Sequence, residues 1–333
     1  MDVHKETTTY AVFEDGDFKG TDTIPSKPSV MQSLARSKRG AIFIMEACGI
    51  HEWIHDILDD EDADVRVFVA PRREAKQRKS DVNDAVLLAR RFLSSELRQV
   101  FVAPKNIRDL RQIVEDRAFL VKVRTMHINR LKSLLNMTGV HARHGSHNLR
   151  KRKEELAQIV PSSRMMQDMI KILDGQIKTF DKTIMAEGAK IPVVTRLRSI
   201  RGFGKLVALA FYVKVWDVRR FPNADALVSY LGSDPVWESS GDKHRDTHKT
   251  SRTCSNLLRS YLNQASWVHV NAPSTSNISQ DYQAKSRSLG KGRAIGRVQR
   301  KLIKAAYHVW KDDRDFTMTR PASLVSCRAQ AAT

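Results

Sequence analysis

Four acidic residues in the first quarter of the chain stand where their carboxylates could converge. Asp2 lies at the head of the first strand, Glu46 ends the run AIFIMEA, and Asp81 and Asp84 open a helical segment. On a helix, residues three apart share a face, and acids at strand ends lie at the sheet edge where α/β folds take substrates. Four carboxylates repel one another unless cations neutralise them, and oxygen ligands suit Mg²⁺ or Mn²⁺. The spacing therefore permits a two-metal site for phosphodiester chemistry.

A plainer interpretation of the same acids stays open. Asp81 also fits a helix N-cap, Asp84 a solvated helix position and Glu46 the exposed end of a strand.

A serine near the C-terminus has a setting that suits phosphate. Ser251 lies in the polar stretch KHRDTHKTSRTC, directly before a segment with helical apolar spacing at Leu258, Tyr261, Leu262 and Ala265. A helix N-terminus attracts anions, and Lys249 and Arg252 add positive charge. A hydroxyl nucleophile still needs a base or a metal. His244 and His248 are the candidate bases nearby, although each is more typical of a surface histidine. By pattern alone, Ser251 is more typical of a capping or loop serine than of a nucleophile.

The charge balance points to a polyanionic partner. The 333 residues include 57 Lys and Arg against 37 Asp and Glu, a net charge of +20, which favours nucleic acid. Three basic runs are expected to contact it, although each could also be a solvated face. The first run supplies Arg72, Arg73, Lys76, Arg78 and Lys79, the second Arg150, Lys151, Arg152 and Lys153, and the third Lys291, Arg293 and Arg297. Lys249 and Arg252, on either side of Ser251, are expected to contact it as well.

Other function classes find no support in the sequence. No apolar run approaches the length of a membrane span, and MDVHKETTTY does not resemble a signal peptide. Three distant cysteines form neither a disulfide framework nor a zinc site. We therefore expect a cytoplasmic, nucleoid-associated protein with no membrane partner.

The elements that must position these residues follow from the hydrophobic periodicity. Residues 1–104 alternate β-rich runs (TTTYAVFE, FKGTDTI, AIFIMEA, DVRVFVAP, RQVFVAP) with helices near 27–37, 50–60 and 81–94, which predicts an α/β domain. Apolar residues at 3–4 spacing, interrupted by Arg117 and Arg124, predict an antiparallel helical hairpin over 105–188. Residues 189–317 should form a mostly α-helical domain, with an irregular tail over 318–333.

Several motifs resemble one known family. MDVHKETT, IMEACGIHEW and KSDVNDAVLLARRF look like the three acidic motifs of the insertion sequence 110 family of DEDD transposases, a group similar to Piv invertases. Three later segments follow in the correct order. SIRGFGKLVALAF resembles the Pro-Gly-Ile-Gly segment of the family, RRFPNADALVSYLGSDPVWESSG its Phe-x-x-x-x-x-Leu-x-x-Tyr-x-Gly-x-x-Pro block, and HKTSRTCSNLLRSYL its serine motif. The SIRGFGK segment also fits a helix-hairpin-helix turn that binds phosphate, or a plain helix-helix turn.

The resemblance implies a fold, a reaction and partners. It implies an RNase H-like N-terminal domain of the Holliday-junction-resolvase type, with Asp2, Glu46, Asp81 and Asp84 as metal ligands and Ser251 as nucleophile. It also implies a structured guide RNA and DNA as partners. We expect a homo-oligomer, with a site completed between two protomers because acids and serine lie on separate domains.

Two alternatives to this transposase remain open. One is a metal-dependent nuclease or junction resolvase that uses water, with Ser251 a bystander. The other is a non-catalytic nucleic-acid-binding relic whose short first strand has lost the metal site; the true start of the protein could lie upstream of Met1.

Overall fold

The chain forms two compact units. The structure, a computed structural model, describes residues 1–69, 80–139, 153–240, 243–250, 255–272 and 276–317. The first unit is Met1–Pro104, and the second begins at Lys105. Over the described ranges, no helix is both long enough and apolar enough to cross a membrane.

The first unit is a mixed α/β structure in which strands and helices alternate. Its strands are β1 (Asp2–Val3), β2 (Thr7–Glu14), β3 (Asp17–Pro25), β4 (Ile42–Glu46), β5 (Asp64–Phe68) and β6 (Gln99–Val100). Its helices are α1 (Pro28–Ser37), α2 (His51–Asp59) and α3 (Asp81–Leu93). The predicted strands and helices of this region are confirmed, although the last strand is only two residues long.

Two three-stranded sheets form the centre of this unit. Antiparallel β1, β2 and β3 form one sheet, and the β2–β3 hairpin closes through Asp15-Gly16, both at positive φ, as a tight two-residue turn requires. In the other sheet β4 pairs parallel with β5, and β5 antiparallel with β6. The amino group of Met1 donates to the carbonyl oxygen of Ile44 at 2.8 Å, which brings β1 beside β4.

Side chains on β1 and β4 alternate between two cores. Met1, Val3, Phe43 and Met45 belong to the core that also contains buried residues of α1 and α2. Ile44 instead packs with Phe68 and with Leu88 and Ala89 of α3. Since successive strand residues point to opposite faces, helices cover both faces of this layer.

The second unit is mostly helical, as predicted. Its helices are α4 (Lys105–Met137), α5 (Lys153–Ile159), α6 (Ser163–Ala189), α7 (Pro192–Leu197), α8 (Lys205–Val215), α9 (Ala224–Tyr230), α10 (Asn256–Val270), α11 (Asn277–Leu289) and α12 (Lys291–Lys311). A short 3₁₀ turn covers Val218–Arg220.

Helices α4 and α6 pack as an antiparallel pair. Arg117 Nε donates to Asp181 Oδ1 at 2.9 Å, and Arg124 Nη1 donates to Asp174 Oδ1 at 3.0 Å. The positions rise along α4 as they fall along α6, which fixes the antiparallel direction. The two arginines that interrupt the apolar spacing therefore form matched ion pairs across the hairpin, one heptad apart.

The glycine turn between α7 and α8 packs directly on α10. Gly202 has φ +99°, and a Cβ there would collide with the carbonyl oxygen of Ala265. The N–H groups of Phe203 and Gly204 bond to Ile200 and Gly202, so those two are not free to meet a phosphate. The segment SIRGFGK is thus a tight helix-helix turn that holds α10 in place.

A buried histidine links the same turn to α10 and α11. His269, 1% exposed, lies 2.9 Å (Nδ1) from the carbonyl oxygen of Arg201 and 2.8 Å (Nε2) from the hydroxyl of Ser276, which accepts the N–H of Ser279 at the start of α11. Burial lowers the pKa of His269. A neutral ring, with Nδ1 donating and Nε2 accepting, satisfies both contacts.

One element of the second unit was not predicted. Strands β7 (Pro235–Ser240) and β8 (Lys243–Thr250) form an antiparallel hairpin where the sequence predicted only a break in a mostly helical domain. The sequence of β8, KHRDTHKT, has no apolar residue, so it lacks the alternation that marks a half-buried strand. Only the pairing with β7 makes it a strand.

Candidate active site

The first turn of α3 carries two of the predicted acids. Ser80 is the N-cap, and its hydroxyl accepts the N–H of Asn83 at 3.2 Å, so Asp81 is not the cap. Ala85, Leu88 and Ala89 form the buried stripe of this helix. Asp81 and Asp84 precede Ala85 and Leu88 by four residues, and they therefore extend the sheet-facing stripe at its N-terminal end.

Strand alternation places the other two acids on the α3 side of the layer. Asp2 lies between the core residues Met1 and Val3, and Glu46 shares its face with Ile44, which packs against α3. A single cavity is consequently lined by Asp2, Val3, His4, Glu46, Cys48, Asp81 and Asp84. The structure thus brings the four predicted acids to one place, although Asp2 and Asp84 are far apart in sequence.

The sequence interpretation missed one member of this group. His4 lies two residues after Asp2, and its Nε2 is 3.3 Å from Asp2 Oδ2 and 3.6 Å from Asp81 Oδ1. One ligand atom from each of Asp2, His4 and Asp81 lies within 4.8 Å of the others. The side chain of Asp2 is 16% exposed, whereas those of His4 and Asp81 are about half exposed. The available signal was its position, since His4 lies two residues after Asp2 and directly after β1.

The donor set of the cavity fits a divalent cation. Four carboxylates and an imidazole line it, and mutual repulsion between carboxylates opposes this arrangement unless positive charge enters. Carboxylate oxygens suit Mg²⁺ and Mn²⁺, and the group opens to solvent at His4 and Asp81. Within the cavity, the ligand atoms of Asp2, His4 and Asp81 form a group in which all three lie within 4.8 Å of one another.

The predicted nucleophile Ser251, with its neighbour Arg252, lies outside the described residues. The described chain stops at the end of β8, Thr250, and resumes at Ser255, directly before α10. Ser255 is the N-cap residue of α10, but its side chain makes no capping hydrogen bond. The predicted apolar face of α10 is confirmed, since Leu258, Tyr261, Leu262 and Ala265 are buried.

Of the three basic runs that were predicted to contact nucleic acid, the structure describes one in full. Arg72, Arg73, Lys76, Arg78 and Lys79, and Arg150, Lys151 and Arg152, lie outside the described residues; Lys153 begins α5, and Lys249 is in β8.

The described basic run begins α12. Lys291 and Arg293 are exposed in the first turn of that helix. Arg297, one turn later, lies 3.7 Å from the carboxylate of Asp281, which also pairs with Lys301 at 2.8 Å. Part of the positive charge of Arg297 is therefore balanced within the chain.

Comparisons with known proteins agree with the motifs. A DEDD transposase model of the IS110 group matches residues 1–139, and the model described as Transposase IS116/IS110/IS902 family matches residues 194–283. The first match contains all four acids, and the second contains the glycine turn and the region around Ser251. The two matched regions together cover more than half of the chain.

Curated relatives are distant in sequence, and their names describe transposases. The transposase for insertion sequence element IS1111A of Coxiella burnetii is 27% identical over 231 residues, which is 64% of this chain and 61% of that protein. The y4rJ protein of Sinorhizobium fredii, also named as a transposase, is 25% identical over 325 residues, 84% of this chain and 80% of that protein. The chain thus spans about three fifths of the first relative. Through these two matched regions and their shared motifs, the chain belongs to the IS110 family of transposases.

Proposed function

We propose that this chain is the recombinase of an insertion sequence, which cuts and rejoins DNA by metal-assisted serine attack on phosphodiesters. The observation that carries the proposal is the convergence of Asp2, Glu46, Asp81 and Asp84 on one cavity. Family membership and the net charge of +20 support DNA as the substrate.

The carboxylates have a defined task in this reaction. Asp2, Glu46, Asp81 and Asp84 would hold Mg²⁺ or Mn²⁺. Bound there, the ion would lower the cost of negative charge on the scissile phosphate and on its leaving oxygen. The four carboxylates would therefore determine where on the protein the negative charge of the phosphate is stabilised.

The covalent step is assigned to Ser251. Its oxygen forms a bond to phosphorus while the bond from phosphorus to one deoxyribose oxygen breaks. The serine proton is lost to a base, and the departing oxygen leaves as a hydroxyl after gaining a proton. The phosphoserine link preserves the energy of the phosphodiester, and attack by the hydroxyl of a second DNA end reverses it. Rejoining therefore needs no external energy source.

The fold proposed for the first unit is RNase H-like. The hairpin β2–β3 lies on one side of β1 and the parallel pair β4–β5 on the other. Asp2 begins β1 and Glu46 ends β4, and Asp81 and Asp84 lie on the helix that covers these strands. This layout agrees with the Holliday-junction-resolvase type of fold that the family resemblance implies.

A structured guide RNA and a homo-oligomer complete the proposed assembly. The RNA follows from the family resemblance, and basic residues would hold its phosphates. The oligomer is supported by an apolar stripe on α6. Met165, Met169 and Ile172 are 74%, 40% and 57% exposed, and their spacing places them on one side of the helix. Exposed apolar stripes of this kind are typical of protein interfaces.

The start of α12 is a part of the proposed DNA interface for which the structure describes side chains as well as backbone. Lys291 and Arg293 lie in the first turn of α12, where the helix dipole disfavours cations. A bound phosphate would relieve that cost. No ion-pair partner of either residue occurs among the residues that the structure describes.

Removing these two charges should change the salt dependence of DNA binding. For Lys291→Ala with Arg293→Ala, we expect the log-log slope of duplex affinity against salt to fall by roughly 1.8, at about 0.9 per phosphate contact. Fluorescence anisotropy over a salt series measures it. The matched control removes two exposed lysines of the first unit, Lys19 and Lys27. Equal slopes for both variants and the wild type would show that α12 does not contact phosphate.

The function itself is tested by rejoined DNA. The full chain is expressed in cells that hold a second plasmid, which carries the gene for this chain together with the DNA that flanks it. New junctions are detected by amplification and sequencing. We expect precise junctions together with a covalent protein–DNA adduct. Cleavage without rejoining or adduct would favour a water-using nuclease, and no cleavage under any divalent metal would favour a binding relic.

A further inference from the structure

The imidazole of His4 belongs to the carboxylate cavity rather than to the surrounding surface. It lies directly after β1, and its Nε2 is 3.3 Å from Asp2 and 3.6 Å from Asp81. We propose that His4 is a nitrogen ligand of the metal site and that it sets the preference of the site among divalent cations. This inference rests on the proposed function, since it requires the carboxylates to hold an ion.

The distance between His4 and Asp2 is compatible with two ligands of one cation. The 3.3 Å contact of Nε2 with Asp2 also meets the length of a weak hydrogen bond, and it is longer than the roughly 2.7–2.9 Å of a charge-assisted one. Two atoms each about 2.1 Å from one cation, at cis or tetrahedral angles, lie roughly 3.0–3.4 Å apart. The separation of His4 Nε2 from Asp2 falls in that second range, and its separation from Asp81 lies just above it.

The position of His4 also suits exchange of an ion with solvent. Its side chain is 51% exposed, whereas that of Asp2 is 16% exposed. His4 therefore lies at the mouth of the cavity and Asp2 deeper. Imidazole is a common protein ligand for transition metals and a poor one for Mg²⁺. A site with oxygen ligands alone favours Mg²⁺ or Ca²⁺, and one added nitrogen shifts the preference toward Mn²⁺ and later metals.

Pulsed electron paramagnetic resonance of Mn²⁺ bound to the full chain tests the assignment without relying on activity. A nitrogen ligand gives a ¹⁴N coupling that oxygen ligands do not. We expect the coupling in the wild type and in the control His51→Gln, whose ring contacts the carbonyl oxygen of Cys48 and does not line the cavity. We expect His4→Gln to lose the coupling.

Titration of the same variants separates a ligand from a merely structural residue. His4→Gln should weaken Mn²⁺ binding by at least about tenfold, a loss that a residue orienting a ligand would also cause; His4→Glu therefore decides between the two roles. His4→Glu supplies a replacement oxygen ligand. It should bind Mn²⁺ within a few-fold of the wild type, lose the ¹⁴N coupling, and discriminate less between Mn²⁺ and Mg²⁺.

Each result decides a different claim. A wild type that binds Mn²⁺ without ¹⁴N coupling, or a coupling that survives in His4→Gln, overturns the role of His4 and leaves the carboxylate site standing. Mn²⁺ binding that is unchanged by Asp81→Asn contradicts the proposed metal site itself, and the inference about His4 falls with it.

Discussion

A Ser251→Ala variant should bind DNA and RNA normally, yet form neither a covalent protein–DNA adduct nor rejoined DNA. An alanine has no oxygen to accept a phosphoryl group, so the loss should be complete. Ser251 directly follows β8 and precedes α10. Even if its hydroxyl caps the helix, the free energy of unfolding should change by no more than about 2 kcal/mol. Adduct trapping and junction sequencing measure the outcome.

Neighbouring hydroxyls provide the controls for that prediction. Thr250 ends β8, and Ser255 makes no side-chain capping hydrogen bond, so alanine at either position should leave recombination intact. Loss in Thr250→Ala but not in Ser251→Ala would move the nucleophile by one residue. Normal recombination by all three variants would remove the serine mechanism and leave metal-activated water.

An Asp81→Asn variant should lose DNA cleavage while keeping its fold. The substitution is isosteric and removes one negative charge from the cavity. Without that ligand we expect the rate to fall at least about 10²–10³-fold, the usual effect of deleting one preorganised charge-stabilising group. Asp81 is about half exposed in the first turn of α3. Lost interaction with the helix dipole should therefore destabilise the protein by no more than about 1 kcal/mol.

The matched control is an acid of the same unit outside the cavity. Asp17, whose side chain is 82% exposed on the β2–β3 hairpin, is replaced by Asn. Cleavage rates with saturating Mg²⁺ are compared for the wild type and both variants, and circular dichroism checks their folds. A folded Asp81→Asn that cleaves like Asp17→Asn would exclude Asp81 from the chemistry.

Much of the carboxylate cavity follows from the sequence because it depends on local periodicity. The period of two on β1 and β4 puts Asp2 and Glu46 on the face opposite Val3 and Met45. The period of 3.6 on α3 puts Asp81 and Asp84 in line with Ala85 and Leu88. These rules require no knowledge of distant contacts, and the strand and helix boundaries were predicted to within a few residues.

Features set by distant pairing could not be predicted in the same way. The hairpin β7–β8 has no apolar alternation in its second strand, so only its partner defines it. In the sequence, Arg117 and Arg124 only interrupt an apolar stripe. The folded chain places Asp181 and Asp174 opposite them as ion-pair partners. The contact of His4 with Asp81 likewise joins residues that only the folded chain brings together.

The central claim is that Asp2, Glu46, Asp81 and Asp84 hold a divalent cation. Crystals of the full chain soaked in Mn²⁺ and measured at the manganese absorption edge test it directly. We predict an anomalous peak within about 2.2 Å of carboxylate oxygens from these residues, and its disappearance in Asp81→Asn crystals. A cavity without a peak at saturating Mn²⁺, or a peak held only by residues elsewhere, would contradict the account.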